Sequence, residues 1–341
     1  MVITNSPLKD QLLEDGYFIA KNILSESLDL EPVRKEYKNE LNSLAKKWHN
    51  EQKTQSTYEE LPIGKQLVKI LSDYPDAPYY EDLDITLPKN IDGIKDDKDT
   101  IQNETIMQTG PAIFNLLTSP RLLDVIEEFI GPEIYSNPVQ HVRIKPPFNI
   151  LPKGIDDKVP AGLVTRAQWH QDQGVVLTEA DNTEMLTVWI PLTKATTENG
   201  CLVVGNKSHT NGLSLHCMRS EKRPQWKQIE IPGEYVTEDN IALEMEPGDV
   251  LFLTKLTKHC SLENQSDDIR WSFDLRYQPI GQPTGRAHFP GFVARSKHTP
   301  DSVLKDHKLW RSMWQDAKYK LIEKNESEYF NRWDPEDIRC A

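Results

Sequence analysis

The segment of this chain with the most chemical content is Trp169-His170-Gln171-Asp172. If it is a strand, side chains alternate faces, so His170 and Asp172 point the same way, about 7 Å apart along the chain. An imidazole and a carboxylate so placed can grip adjacent corners of one metal ion. One further histidine would complete the two-histidine, one-carboxylate face that suits non-haem iron(II). A His-x-Asp pair also arises as two ordinary surface side chains, so the pair needs support from elsewhere.

That support lies downstream. Pro247-Gly248-Asp249 reads as a turn and VLFLT as a strand, and His259 follows directly. A jelly roll could bring His259 back over the mouth of its barrel. Eleven residues on, Arg270 opens the run RWSFDLRYQ. One face of that run carries Trp271, Phe273, Leu275 and Tyr277; the other carries Arg270, Ser272, Asp274 and Arg276. Two assignments are open. Either the aromatics face the core and the charges face water, or the barrel encloses a polar pocket, the charges look inward, and the aromatics pack outside under helices.

The elements that must hold these residues are legible as texture. From about residue 135 to 279, short β-rich runs recur: VQHVRI, AQWHQD, GVVLTEA, MLTVWIPL, CLVVG, QIEI, DVLFLT and RWSFDLRYQP. Glu198-Asn199-Gly200 and Pro247-Gly248-Asp249 punctuate them. Many short strands with such turns predict a mainly β fold with flanking helices, built on a double-stranded β-helix (jelly-roll, cupin-like) core. The part before it, about 1–134, reads as helical around one strand, Tyr17–Ile23. A helix is expected over Leu28–Asn50. Another starts at Ser119-Pro120, with Leu122, Leu123, Val125, Ile126 and Phe129 inward, and stops at Gly131-Pro132. Residues 84–104 are acidic, lack periodicity and read as a surface loop. The C-terminal extension, about 283–341, carries a helix from about Ser302 to Asn325, whose Trp310 and Trp314 are one turn apart and suit packing on the barrel. The expectation is a single domain, with the core over about 135–282.

Composition bounds the rest. The chain has 341 residues, 37% apolar and 27% charged, with net charge −13 and a sequence pI of about 5.2. An acidic surface repels phosphate backbones and anionic membranes, so neither nucleic acid nor membrane is expected as a partner. No window approaches a membrane span, and the N-terminal run MVITNSPLKDQLLEDG lacks the apolar core of a signal peptide. Cys201, Cys217, Cys260 and Cys340 form no Cys-x-x-Cys pair and read as scattered reduced thiols. With no peroxisomal tripeptide or prenylation box at the C-terminus, the expected location is cytoplasmic.

Taken in order, these motifs resemble those of the phytanoyl-CoA dioxygenase-like group of 2-oxoglutarate oxygenases. Asp15-Gly16-Tyr17 before a β run is similar to the family's opening, and Trp169-His170-Gln171-Asp172 to its metal motif. Leu186 to Leu192, then Glu198-Asn199-Gly200-Cys201-Leu202 and Ser208-His209, resemble its central hairpin. Pro247-Gly248-Asp249-Val250 leads to His259, with Ser261 two residues on and Arg270 eleven on. The resemblance covers about residues 10–295 and gains specificity from order and spacing. One departure is that Gly205-Asn206-Lys207 stands where the family has Pro-Gly before its Ser-His pair. That affects a loop, and His209 is read as structural.

The resemblance implies that His170, Asp172 and His259 bind Fe(II) as the catalytic centre. It implies that Arg270 holds the distal carboxylate of 2-oxoglutarate through a bidentate ion pair, helped by the Ser261 hydroxyl. Thr187 is implied near the cosubstrate, and Gln140 at a polar pocket position. Arg143, Lys145, Arg166 and Arg276 are candidates for an anionic group on the substrate; taken singly, each reads as readily as a solvated or ion-paired charge. The implied reaction uses O2 to hydroxylate a small organic substrate and releases succinate and CO2. A carboxylate, Asp172, stands where related halogenating enzymes carry a small residue, which favours hydroxylation. Desaturation, epoxidation or ring formation would depend on substrate pose.

Two rivals share the fold expectation, because fold alone does not set function. One is a non-catalytic cupin-like small-molecule binding protein. The other is a jelly-roll metalloenzyme that does not use 2-oxoglutarate. The set His170, Asp172, His259 and Arg270 argues against the first, and Arg270 with Ser261 against the second. Oligomeric state is not legible, and a monomer fits.

Overall fold

The computed structural model describes residues 7–88, 101–155, 162–220, 222–223, 225–226, 228–324 and 331–340. Its centre is two antiparallel sheets. The larger has the order β1-β6-β3-β8-β2-β9, from β1 (Tyr17–Ala20), β2 (Ile134–Lys145), β3 (Leu186–Pro191), β6 (Val250–Thr254), β8 (Arg270–Pro279) and β9 (Phe292–Arg295). The smaller has the order β5-β4-β7, from β4 (Leu202–Gly205), β5 (Asn240–Leu243) and β7 (His259–Ser261). Together they form the jelly-roll core expected from the strand texture. The large sheet also takes in Phe292–Arg295, which lies beyond the span of the core as read from sequence.

The two faces of β8 settle the choice left open by its alternation. Trp271, Phe273, Leu275 and Tyr277 join the main apolar core. Of the helices α1 (Pro7–Asp15), α2 (Glu31–Asn50), α3 (Ile63–Asp73), α4 (Tyr79–Asp82), α5 (Pro111–Leu117) and α6 (Pro120–Ile130), α2, α5 and α6 cover that core outside the barrel. The Tyr37 ring on α2 sits 5.0 Å from that of Trp271 and 5.9 Å from that of Phe273. Truncating such a buried aromatic costs about 3–5 kcal/mol. Arg270, Ser272, Asp274 and Arg276 point into the barrel and are buried too. Neighbouring strands keep the same rule. Val188 and Phe252 join the outer core, whereas Trp189, Leu251 and Leu253 meet Leu202, Val204 and Leu243 of the small sheet inside. The barrel is therefore apolar in one half and charged in the other.

The C-terminal helix, α7 (His307–Lys324), buries Trp310 and Trp314. Trp310 meets Phe114 of α5 with ring centroids 5.8 Å apart, and Phe289 meets Trp314 at 5.2 Å. Helix α6 runs as expected over Pro120–Ile130, but Ser119 does not cap it with its side chain. The Ser119 hydroxyl instead donates to Asp29 Oδ1 at 2.8 Å. The surface-loop reading of residues 84–104 is corrected at its start. Asp84, Ile85, Thr86 and Leu87 are buried, because the Asp84 carboxylate accepts from Val142 N at 2.7 Å and meets His141 Nδ1 at 2.9 Å. Residues 89–100 lie outside the described residues.

AQWHQD, GVVLTEA and QIEI do not form strands. They supply single bridges, at His170 and Glu230, and short 3-10 turns at Asp172–Val175 and Thr178–Ala180. Among the described residues, no helix is long and apolar enough to cross a membrane.

Candidate metal centre

His259 opens β7, and His170 forms an isolated antiparallel bridge directly opposite it. The pair exchanges both backbone bonds, His170 N to His259 O and His259 N to His170 O, each 2.9 Å. The two imidazole centroids are 4.2 Å apart. Asp172 begins the turn that follows, which closes with Gly174 N donating to Gln171 O at 2.8 Å. One donor atom from each of His170, Asp172 and His259 lies within 4.8 Å of the others. The residues picked from spacing therefore converge, with a bridge and a turn in place of the expected strand.

The ring hydrogen bonds fix which nitrogen is available. His170 Nδ1 donates to Gln168 O at 2.8 Å and His259 Nδ1 to Thr257 O at 3.0 Å. A carbonyl only accepts, so each Nδ1 carries a proton and Nε2 is the nitrogen left to face a metal. Burial, then the neighbouring His259, pushes the His170 pKa well below the ordinary imidazole range, so the ring is neutral as a ligand must be. Asp172 is fully buried. Burial alone would raise its pKa, but Arg276, both imidazoles and the Thr187 hydroxyl outweigh it and hold the carboxyl ionised. Two imidazoles with Nε2 free and one carboxylate fit a divalent ion such as ferrous iron.

Gln171, between the ligands, is tied on every side. Its Nε2 donates to Gly212 O at 2.7 Å and Leu256 O at 2.6 Å, and its Oε1 accepts from Ser214 N at 2.8 Å. Its backbone N donates to His216 Nε2 at 3.0 Å, while His216 Nδ1 donates to Ser214 O at 3.0 Å.

The other expected residues divide. Thr187, on β3, donates its hydroxyl to Asp172 Oδ2. Arg276, its cross-strand partner, donates to Asp172 Oδ1 and pairs with Asp274 at 3.0 Å. It is thus an ion-paired charge, one of the two readings its sequence position leaves open. Arg143 donates to Gly162 O at 2.6 Å and lies 3.5 Å from Asp274. Arg166 is exposed. Gln140 sits at the β2 bulge and donates to Ile85 O at 2.6 Å, a backbone contact outside the metal cluster. His209 donates Nε2 to Leu13 O at 2.8 Å, which ties a loop to the N-terminal helix.

Arg270 is fully buried. Its Nε donates to Gly200 O at 3.2 Å and its Nη1 to Ser272 Oγ at 2.5 Å, and the guanidinium lies 5.6 Å from the Trp189 ring centroid. Its Nη2 has no partner among the described residues. Burial, then Arg143, lowers its pKa to about 9. Ser261 Oγ accepts from Ala167 N at 2.8 Å and from Lys145 Nζ.

The thiol reading is corrected. Cys217 and Cys340, 123 residues apart in sequence, form a disulfide with Cα atoms 5.5 Å apart. No sequence spacing announces a bond that long. It removes the thiol argument for a reducing compartment. Cys201 and Cys260 are free and buried, and burial raises their pKa to about 11 and about 12. The disulfide fastens a C-terminal strap, residues 331–340, across the ligand turn. There Trp333 Nε1 donates to Gly174 O at 2.7 Å and stacks on His216 at 4.9 Å. Arg332 donates to Gln173 O at 3.1 Å and pairs with Asp181 at 2.6 Å.

The family model for Phytanoyl-CoA dioxygenase (PhyH) matches residues 13–272. A probable phytanoyl-CoA dioxygenase of Caenorhabditis elegans is 28% identical over 203 residues, covering 57% of this chain and 59% of the relative. A 1-deoxypentalenic acid 11-beta-hydroxylase of Streptomyces arenae is 28% identical over 189 residues, covering 54% and 62%. The chain thus spans about three fifths of the length of these relatives. Among solved structures, the apo form of the non-heme monooxygenase ThoJ superposes with a TM-score of 0.55 at 15% identity, covering 94% of this chain and 98% of that one. That likeness is one of fold.

Proposed function

The chain belongs to the phytanoyl-CoA dioxygenase family, and from that premise we propose that it is an Fe(II)- and 2-oxoglutarate-dependent dioxygenase that hydroxylates a small organic substrate and releases succinate and CO2. One observation carries the reading. Two imidazole nitrogens and an ionised carboxylate converge within 4.8 Å, in the same barrel as a buried guanidinium with an unused donor.

When bound, the ferrous ion and 2-oxoglutarate supply O2 activation, which the protein has no side-chain chemistry to replace. The chain's own residues do the rest. His170, Asp172 and His259 would hold the ion. Arg270 offers Nη2, and Ser261 its hydroxyl proton, to the distal carboxylate of the diacid. Arg276 and Thr187 keep Asp172 ionised and aimed. Trp189, Leu251 and Leu253 line the apolar half of the barrel and exclude water there. His170 is the least buried of the three ligands, so substrate would approach on its side.

The test is succinate release from 2-oxoglutarate across a metabolite panel, with Fe(II) added and withheld. Release that needs both iron and one class of metabolite supports the reading. Metal binding with no 2-oxoglutarate turnover on any addition would move the protein to another class of metalloenzyme.

A further inference from the structure

Residues 331–340 cross the turn that carries Asp172, and of them only Cys340 is buried. The apolar cluster at this end, Leu215, Cys217 and Cys340 with Trp226 and Trp333, is separate from the main core. Besides the contacts with the ligand turn, the ties of the strap are few. Trp226 Nε1 donates to Cys340 O at 3.0 Å, Arg223 donates to Pro335 O at 2.9 Å, and Lys222 pairs with Glu336 at 2.8 Å. Exposed pairs hold weakly, so the Cys217–Cys340 bond is the main fastening of the strap.

The two halves of that bond are anchored unequally. Cys217 and Glu230 exchange both backbone bonds, at 2.7 and 2.9 Å, and Ile231 N donates to Trp169 O at 2.7 Å. Cys217 therefore stays with the metal-ligand segment when the bond opens. Cys340 sits at the end of the strap, on one backbone bond from its N to Asp337 O at 2.9 Å. Opening the bond frees one side and leaves the other in place for reclosure. The joined parts grip both flanks of Asp172. His216, next to Cys217, accepts from Gln171 N, while Arg332 donates to Gln173 O and Trp333 to Gly174 O.

We propose that the Cys217–Cys340 bond is a thiol-sensitive latch on metal retention. This rests on the metal centre of the function proposed above. Both cysteines are buried, so attack proceeds through fraying of the strap's end. Two thiols of a reductant give up two electrons and two protons and leave as their own disulfide; the sulfur–sulfur bond breaks, and Cys217 and Cys340 become thiols. The strap then lifts. The Gln173 and Gly174 carbonyls lose their donors and His216 loses the Trp333 ring stacked on it. The turn under Asp172 loosens while the His170–His259 bridge stays, and a bound ion escapes faster.

The experiment follows Co(II) leaving the loaded full chain for an excess of a colour-forming chelator. The protein is taken oxidised, then reduced with dithiothreitol and freed of it, then reoxidised. Reduction should speed release roughly ten- to a hundredfold, the range for losing an outer support of a metal ligand, and reoxidation should restore the slow rate. Cys340→Ser should release fast and ignore dithiothreitol. Trp333→Phe, with the bond intact, should also release faster, since its indole N–H to Gly174 O is gone. Equal rates in the oxidised and reduced wild type overturn the latch, and so does a Cys340→Ser variant that still answers to dithiothreitol. A collapse of the far-ultraviolet dichroism on reduction would make the bond a support of the whole fold, which also overturns it. If the oxidised wild type holds no divalent ion, the metal centre itself fails, and the latch with it.

Discussion

Arg276 Nη2 donates to Asp172 Oδ1, while Thr187, its neighbour on the adjacent strand, donates to Oδ2. The carboxylate is thereby fixed by two strands of the large sheet before any ion arrives. Asp274, 3.0 Å from Arg276 Nη1, balances the guanidinium.

Removing Arg276 should therefore damage the fold and the site together. Arg276→Ala leaves Asp172 buried without its cation, and breaking a buried pair costs about 3–5 kcal/mol. Chemical denaturation of the metal-free protein measures this. A loss under about 1 kcal/mol, within the range of an exposed pair, would show that the contact does not hold the carboxylate.

The ligand assignment has a spectroscopic check. Anaerobic Fe(II) with 2-oxoglutarate should give a weak visible charge-transfer band in the wild type, and none in the double variant Asp172→Ala, His259→Ala. Persistence of the band would remove these two residues from the metal's coordination.

Acid should weaken the fold through His216. Its pKa is lowered to about 4, chiefly by burial, and its two nitrogens serve one carbonyl and one N–H, which only the neutral ring can do. The unfolded chain binds a proton near pH 6.5, about where free imidazole does. Stability from the neutral ring is complete above that pH and is lost as pH falls toward about 4, by about 3 kcal/mol in all. Urea denaturation at pH 7 and pH 5 should show a smaller difference in His216→Gln than in the wild type. An identical pH dependence would place the titration elsewhere.

Reducing the Cys217–Cys340 bond should free the strap. A cross-link spanning 123 residues restrains the unfolded chain by about 2–5 kcal/mol. Cys340→Ser should lower the melting temperature and raise amide exchange at Gly174 and Gln171, beneath Trp333 and His216. Unchanged exchange there would mean that the strap does not brace the ligand turn.

Much of the site was legible because its residues are close in sequence or follow strong turns. His170 and Asp172 are two apart, and His259 and Arg270 each sit beside an apolar strand. The inward face of β8 was not decidable from alternation, since a two-sided pattern looks the same whether the polar face meets water or a pocket; only the helices covering Trp271 and Phe273 resolve it. The partnership of Arg276 with Asp172 depends on sheet register, which periodicity does not encode. His216, Trp333 and the disulfide depend on loops and on the C-terminal segment, where no period exists to read. Asp84 looked like part of an acidic surface run because its buried partner, His141, comes 57 residues later.

The reciprocal backbone bonds between His170 and His259 also bear on ion selectivity. The spacing of the two imidazoles belongs to the peptide scaffold, so an incoming ion organises nothing and meets a cage of preset dimensions. Chelation should leave the far-ultraviolet dichroism unchanged, unlike a zinc finger, where the ion and the fold stand or fall together. Imidazole and carboxylate donors also suit cobalt, nickel and zinc, so scaffold geometry and supply in the cell would together decide which ion resides there.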